Sequence, residues 1–162
     1  METLLKEYQL LSALQRHQVK EIELKEEQKG LFGDIHGVLH TLRARPASDI
    51  QGYALLVDGV PRGFFILKRR TLLPAWAKGS TATFQALTID RRYQGLGLGK
   101  WCMQTLPGVV RELWPEIEQL MLAVDPANRV ACLLYQASGW RDCDASGLAG
   151  ARSEQPMLLK LT

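Results

Sequence analysis

Three glycines in five residues, set between a strand pattern and a helix pattern, narrow the folds open to this chain more than any other feature. The segment reads Gln94-Gly95-Leu96-Gly97-Leu98-Gly99-Lys100. Before it, Thr81 to Ile89 is rich in Thr, Phe and Ile and predicts a strand. After it the pattern predicts a helix, interrupted at Pro107-Gly108. Glycine lets a backbone approach a ligand closely and take up conformations barred to other residues. A helix start adds unpaired N–H groups and the positive end of the peptide dipole. Together these suit a bound phosphate group; without a ligand, the same segment is a tight strand-to-helix turn.

Two familiar phosphate loops fail on specific residues. A Walker loop needs glycine where Gln94 stands and a Ser or Thr where Trp101 stands. A dinucleotide fingerprint needs glycine at the position of Lys100.

The rest of the chain predicts interleaved strands and helices, a mixed α/β arrangement. Residues 1–17 read as a short strand or turn leading into a helix. From Val19 to Leu24, Val19, Ile22 and Leu24 are apolar among charged residues and predict a strand, with a helix as the alternative. Asp34 opens a helical stretch with Ile35, Val38, Leu39 and Leu42 on one face, ended by Pro46. Tyr53–Val57 and Gly63–Leu67 flank Asp58-Gly59 and predict a hairpin at the centre of the fold. Gln119 to Val124 is a compact apolar strand. Asp125 to Asn128 forms a turn, Asn128 caps the next helix, and Gly139 ends it. Trp140 begins a further strand, and Met157 to Leu161 is the last.

A second motif accompanies the glycine turn. It runs from Asn128 through Ala131 and Leu134-Tyr135 to Gly139-Trp140. The two segments together resemble the GNAT superfamily of N-acetyltransferases. Gln94, Gly97 and Gly99 match that family's Gln/Arg-x-x-Gly-x-Gly/Ala signature, and the asparagine-to-aromatic run matches its second. Leu87-Thr88-Ile89-Asp90 before the turn has the family's look as well, and the match is good over residues 81–140. The resemblance implies one domain over residues 1–162, with a central mixed, mostly antiparallel, twisted sheet flanked by helices on both faces. It implies acetyl-CoA as acyl donor and no metal. The backbone of Leu87, Thr88 and Ile89 would meet the pantetheine arm. The amides of Gly95, Leu96, Gly97, Leu98, Gly99 and Lys100, following Gln94, would cradle the pyrophosphate. Asn128 would contact the pantetheine or hold its turn, and Tyr135 would lie near the sulfur as general acid.

That chemistry is coherent. A neutral amine attacks a thioester, backbone N–H groups stabilise the oxyanion, and the departing thiolate needs a proton. A phenol with a pKa of about 10 is a suitable donor. Family members commonly carry a glutamate base at one of two strand positions. Here Gln85 and Ala123 stand there, and neither can take a proton. A water chain to Asp90, Asp125 or a carboxylate of the N-terminal half could replace it, although each aspartate also reads as a turn residue.

Composition bounds the remaining possibilities. A net charge of +3 is too small for a dedicated nucleic-acid binder, and Lys68-Arg69-Arg70 reads as a solvated strand end. No apolar run is long enough to span a membrane. Three cysteines without paired spacing fit a reducing, cytoplasmic setting. Cys102 and Cys132 read as small core residues. His36 and His40 have a zinc-compatible spacing but no third ligand. Tyr53 and Trp76 read as core or interface residues before groove residues. Glu21, Glu23, Glu26 and Glu27 form an acidic stretch that is faintly similar to polyamine acetyltransferases, or is simply a solvated face. The acceptor that the resemblance implies first is a small primary amine: a polyamine, an amino sugar or an amino acid would fit. A protein N-terminus or lysine is the alternative, and a catalytically silent acyl-CoA sensor is the non-enzymatic one. The resemblance also allows a homodimer.

Overall fold

The computed structural model describes residues 1–24, 35–77, 79–144 and 154–161. Its strands are β1 (Thr3–Glu7), β2 (Ile50–Val57), β3 (Val60–Arg69), β4 (Thr81–Ile89), β5 (Gln119–Val124), β6 (Arg141–Asp142) and β7 (Gln155–Lys160). Its helices are α1 (Ala13–Val19), α2 (Ile35–His40), α3 (Leu98–Leu113) and α4 (Arg129–Ala137). The strands form one mixed sheet in the order β1-β2-β3-β4-β5-β7-β6. The chain divides into two compact units, Met1–Leu67 with Ala86–Leu98, and Lys68–Gln85 with Gly99–Thr162. Strand β4 contributes to both.

In the first unit, β1 runs antiparallel to β2, from Thr3 opposite Val57 to Glu7 opposite Tyr53. Asp58 and Gly59 both have positive φ, 49° and 81°, as a tight two-residue hairpin turn requires. All eight residues of β2 are buried, so the sheet is covered on both faces there. Phe64, Phe65, Ile66 and Leu67 on β3, with Val19 and Val38, fill the core. Each such side chain stabilises the fold by roughly 1.5–3 kcal/mol. Tyr53 stacks on Phe65 with ring centroids 5.3 Å apart and is a core residue.

One expected strand is absent. Val19 ends α1, which opens on a Ser12–Gln15 capping box, and Glu21 N and Ile22 N then donate to Gln18 O and Val19 O in a turn. Val19, Ile22 and Leu24 are nevertheless buried. Their alternation records inward-facing side chains along a turn, and burial does not require a ladder. The expected start of the next helix at Asp34 lies outside the described residues, as do Glu26 and Glu27; Ile35 and Val38 are buried as the helical face predicted.

In the second unit, β5 pairs antiparallel with β7, from Gln119 opposite Lys160 to Val124 opposite Gln155. Strand β6 pairs with β7 on its other edge and begins at Arg141, one residue after the expected Trp140. Helix α3 runs unbroken through Pro107, against expectation. Proline in a helix interior costs about 3 kcal/mol. Cys102, Met103, Leu106 and Val110 form a fully buried stripe across it, and their packing outweighs that cost. Nor is the Lys68–Arg70 cluster simply solvated. Arg69 lies 4.5 Å over the Trp114 ring and pairs with Glu116 at 2.9 Å. Burial lowers the pKa of half-buried Lys68.

Candidate active site

The glycine turn begins where β4 ends. Thr81–Thr83 of β4 pair in parallel with Gln119–Met121 of β5, three residues of a nine-residue strand. Ala86 then takes a φ of 61°, a left-handed conformation that side chains other than glycine resist. Beyond it the strand stays beside β3. Thr88 Oγ1 donates to Phe64 O at 3.3 Å, and Asp90 N donates to Arg62 O at 2.7 Å. The approach is close, since a Cβ on Gly63 would stand 3.0 Å from Thr88 O. Leu87 and Ile89 are half-buried on the alternate positions.

A single helical turn, Arg91–Tyr93, follows. Asp90 has no solvent exposure, and its carboxylate accepts from Arg92 N (3.1 Å), Nε (2.9 Å) and Nη2 (2.7 Å). Burial alone would raise its pKa, but the bonds and charge of Arg92 outweigh that and hold it below the usual carboxylate range. Gln94 Nε2 donates to Ile89 O at 2.8 Å and folds the side chain back on the strand end. Gly95 and Gly97 follow at φ 80°, both exposed, with no atom within 4 Å of where a Cβ would stand. Leu98 is buried and starts α3, whereas Lys100 is exposed.

The second motif is built on α4. Asn128 Oδ1 accepts from Ala131 N at 3.2 Å, so its side chain holds the helix start. Ser138 caps the other end and Gly139 follows at φ 94°. Gly99 is tight against this helix, because a Cβ there would stand 3.1 Å from Leu134 Cδ2. The two motifs therefore meet at Gly99 and Leu134. Tyr135, next along, is buried, edge-on to Phe84 at 6.5 Å and tilted against Trp140 at 5.9 Å. Burial first, then Cys102 and Cys132, push its phenol above its ordinary pKa, so it stays protonated at neutral pH. Cys102 is fully buried, as expected of a core residue, and burial pushes its thiol up to about 12; Cys132 is half-buried.

Gln85 and Ala123 are both half-buried, and neither ionises. Asp90 is committed to Arg92, and Asp125 Oδ1 accepts from Ala127 N at 2.9 Å in its turn. Glu23 pairs with Arg91 at 2.8 Å, and Glu21 lies 3.3 Å from His17. His36 and His40 are exposed on α2, and among the described residues no group of three or more metal-ligand side chains gathers. Among the same residues no helix is long and apolar enough to cross a membrane. Arg129, Leu133 and Gln136, exposed on α4, line an open cleft of about 260 Å³. The sequence marks Trp140 only as the closing aromatic of the second motif and gives Phe84 no role, yet both rings wall Tyr135. The Asp90–Arg92 pair was also missed, although an acid two residues before an arginine after a strand was visible.

The profile of the acetyltransferase (GNAT) family matches residues 10–140. The N-acetyltransferase YbbJ of Bacillus subtilis, itself uncharacterised, is 32% identical over 90 residues, which span 54% of this chain and 56% of that protein. The chain thus matches little more than half the length of that relative. The GNAT domain of PAT from S. lividans superposes with a TM-score of 0.72 at 16% identity, over 96% of this chain and 89% of that one. The PaiA N-acetyltransferase of Thermoplasma acidophilum, in complex with coenzyme A, superposes at 0.67 with 18% identity over 99% of both chains.

Proposed function

The chain belongs to the acetyltransferase (GNAT) family, and from that premise we propose an N-acetyltransferase that moves an acetyl group from acetyl-CoA to a small primary amine, by direct attack in a ternary complex. The observation that carries the reading is the bare pair Gly95 and Gly97, exposed and left-handed at the entrance to a sixteen-residue helix. The space a Cβ would fill at either position is open, which leaves room for a pyrophosphate to approach the turn. These residues fit the donor. The amides of Gly95 to Lys100 hold the pyrophosphate, and the backbone of Leu87, Thr88 and Ile89 meets the pantetheine. Asn128 keeps α4 in place. Acetyl-CoA supplies an acyl group already activated as a thioester.

Tyr135 keeps its proton on Oη, because its site disfavours the phenolate, and offers it to the departing sulfur. The amine's proton leaves through water, because Gln85 and Ala123 cannot take it. The absence of a glutamate at positions 85 and 123 supports the second reading, a domain that binds acyl-CoA without turning it over. Thermal unfolding with and without acetyl-CoA, alongside a free-thiol assay against amines, separates the two. A raised midpoint and thiol release with one amine class support the enzyme and name its acceptor class. A raised midpoint with no thiol from small amines, peptides or proteins supports the sensor. An unmoved midpoint at saturating concentration sinks both.

A further inference from the structure

We propose that Asp90, acting through Arg92, is the positioning residue of the glycine turn: it sets the direction in which the chain leaves β4, so that the amides of Gly95 and Gly97 are presented before any ligand arrives. The inference rests on the acetyl-CoA reading above.

It stands on a contrast along the eight residues from Asp90 to Gly97. From Asp90 to Gln94 every residue is tied down. Asp90 N donates to Arg62 O at 2.7 Å, and its carboxylate takes the fork of Arg92. Arg91 N donates to Glu23 O at 2.8 Å, and its Nε to Glu23 Oε2 at 2.8 Å. Arg92 Nη2 reaches Glu21 O at 3.3 Å. Tyr93 N donates to Asp90 O at 2.8 Å, and its ring lies 4.2 Å under the Arg62 guanidinium. Gln94 is bonded back to Ile89 O. At Gly95 the ties stop, and nothing stands within 4 Å of a Cβ there or at Gly97. A flexible glycine turn would have to be ordered by its ligand, at a cost in affinity. An anchor ending at Gln94 avoids that cost while leaving the space beside Gly95 and Gly97 open.

Asp90 is the centre of the anchor because it alone is fully buried, and a buried carboxylate is stable only when charged donors satisfy it. The guanidinium fork supplies donors in the matching planar geometry, which an ammonium cannot. Replacing the carboxylate by an amide sets an NH2 group against the fork and releases it.

The test compares Asp90→Asn and Arg92→Lys with the wild type, titrating acetyl-CoA and, separately, S-acetylpantetheine, which lacks the pyrophosphate. In Asp90→Asn the Kd for acetyl-CoA rises about tenfold or more, equivalent to about 1.4 kcal/mol, while that for the short donor stays near the wild-type value. Arg92 is half exposed, so Arg92→Lys folds even if Asp90→Asn does not. It shows the same selective loss to a smaller degree, with a Kd about threefold higher. An unchanged acetyl-CoA affinity, or equal losses for both donors, overturns the positioning role and leaves the acetyl-CoA reading standing. A wild type that binds neither donor removes that reading as well.

Discussion

At the scale of single residues, burial does two things to Tyr135. It fixes the ring between Phe84 and Trp140, and it keeps the hydroxyl protonated by disfavouring the phenolate. A general acid needs both position and proton. Tyr135→Phe is expected to slow turnover about tenfold or more and to leave acetyl-CoA affinity close to wild type, read from kcat and a separate binding titration. Cys102 obeys the same physics without a chemical role. Its folded pKa, about 12, lies above the ordinary thiol value of 9.0, so the folded state holds the proton more tightly than the unfolded state. The stability this contributes is complete below pH 9.0 and is lost as pH rises toward about 12. Urea denaturation from neutral to alkaline pH is expected to show the wild type losing more stability than Cys102→Ala over that window. Equal losses would mean that the thiol does not titrate with unfolding.

Among the elements, α3 is stabilised by its buried stripe in spite of its own sequence. Pro107 and Gly108 both disfavour a helix, and α3 runs through them. Gly108 is exposed, and a Cβ there would meet no atom within 4 Å. Gly108→Ala is therefore expected to stabilise the protein by about 0.5–1 kcal/mol, seen as a higher denaturation midpoint. Helix α4 shows the opposite balance, with its boundary set locally. Asn128→Ala removes the bond to Ala131 N and is expected to cost about 1 kcal/mol. Restoring a cap with Asn128→Asp should recover most of it, since a carboxylate caps equally well. Failure to recover would assign Asn128 a further contact.

For the whole molecule, a donor that binds only the folded state adds its binding free energy to stability. At a hundredfold excess over Kd the gain is about 2.7 kcal/mol. Wild type and Gly97→Ala should part company here. Alanine at φ 80° is strained, and its methyl enters the space over the turn, so the variant is expected to show a smaller shift of the unfolding midpoint with acetyl-CoA. How much was legible without coordinates follows from the range of the interactions involved. Strand β4 runs from Thr81 to Ile89 as its composition predicts, the Asp58-Gly59 turn sits in its hairpin, and Asn128 and Gly139 bound α4. Each is set by torsional preferences and hydrogen bonds within a few residues, so the sequence by itself determined them. The same holds for Gly95 and Gly97, where only glycine takes the observed φ at no steric cost. Only the tertiary structure decided that α3 would override Pro107, that Val19 would close a helix, and that Arg69 would be packed on Trp114. Nor could the sequence reveal Phe84 against Tyr135, or the commitment of Asp90 to Arg92. These outcomes depend on which side chains are desolvated together. Desolvation is a property of packed neighbours distant in the chain, and no local pattern encodes it.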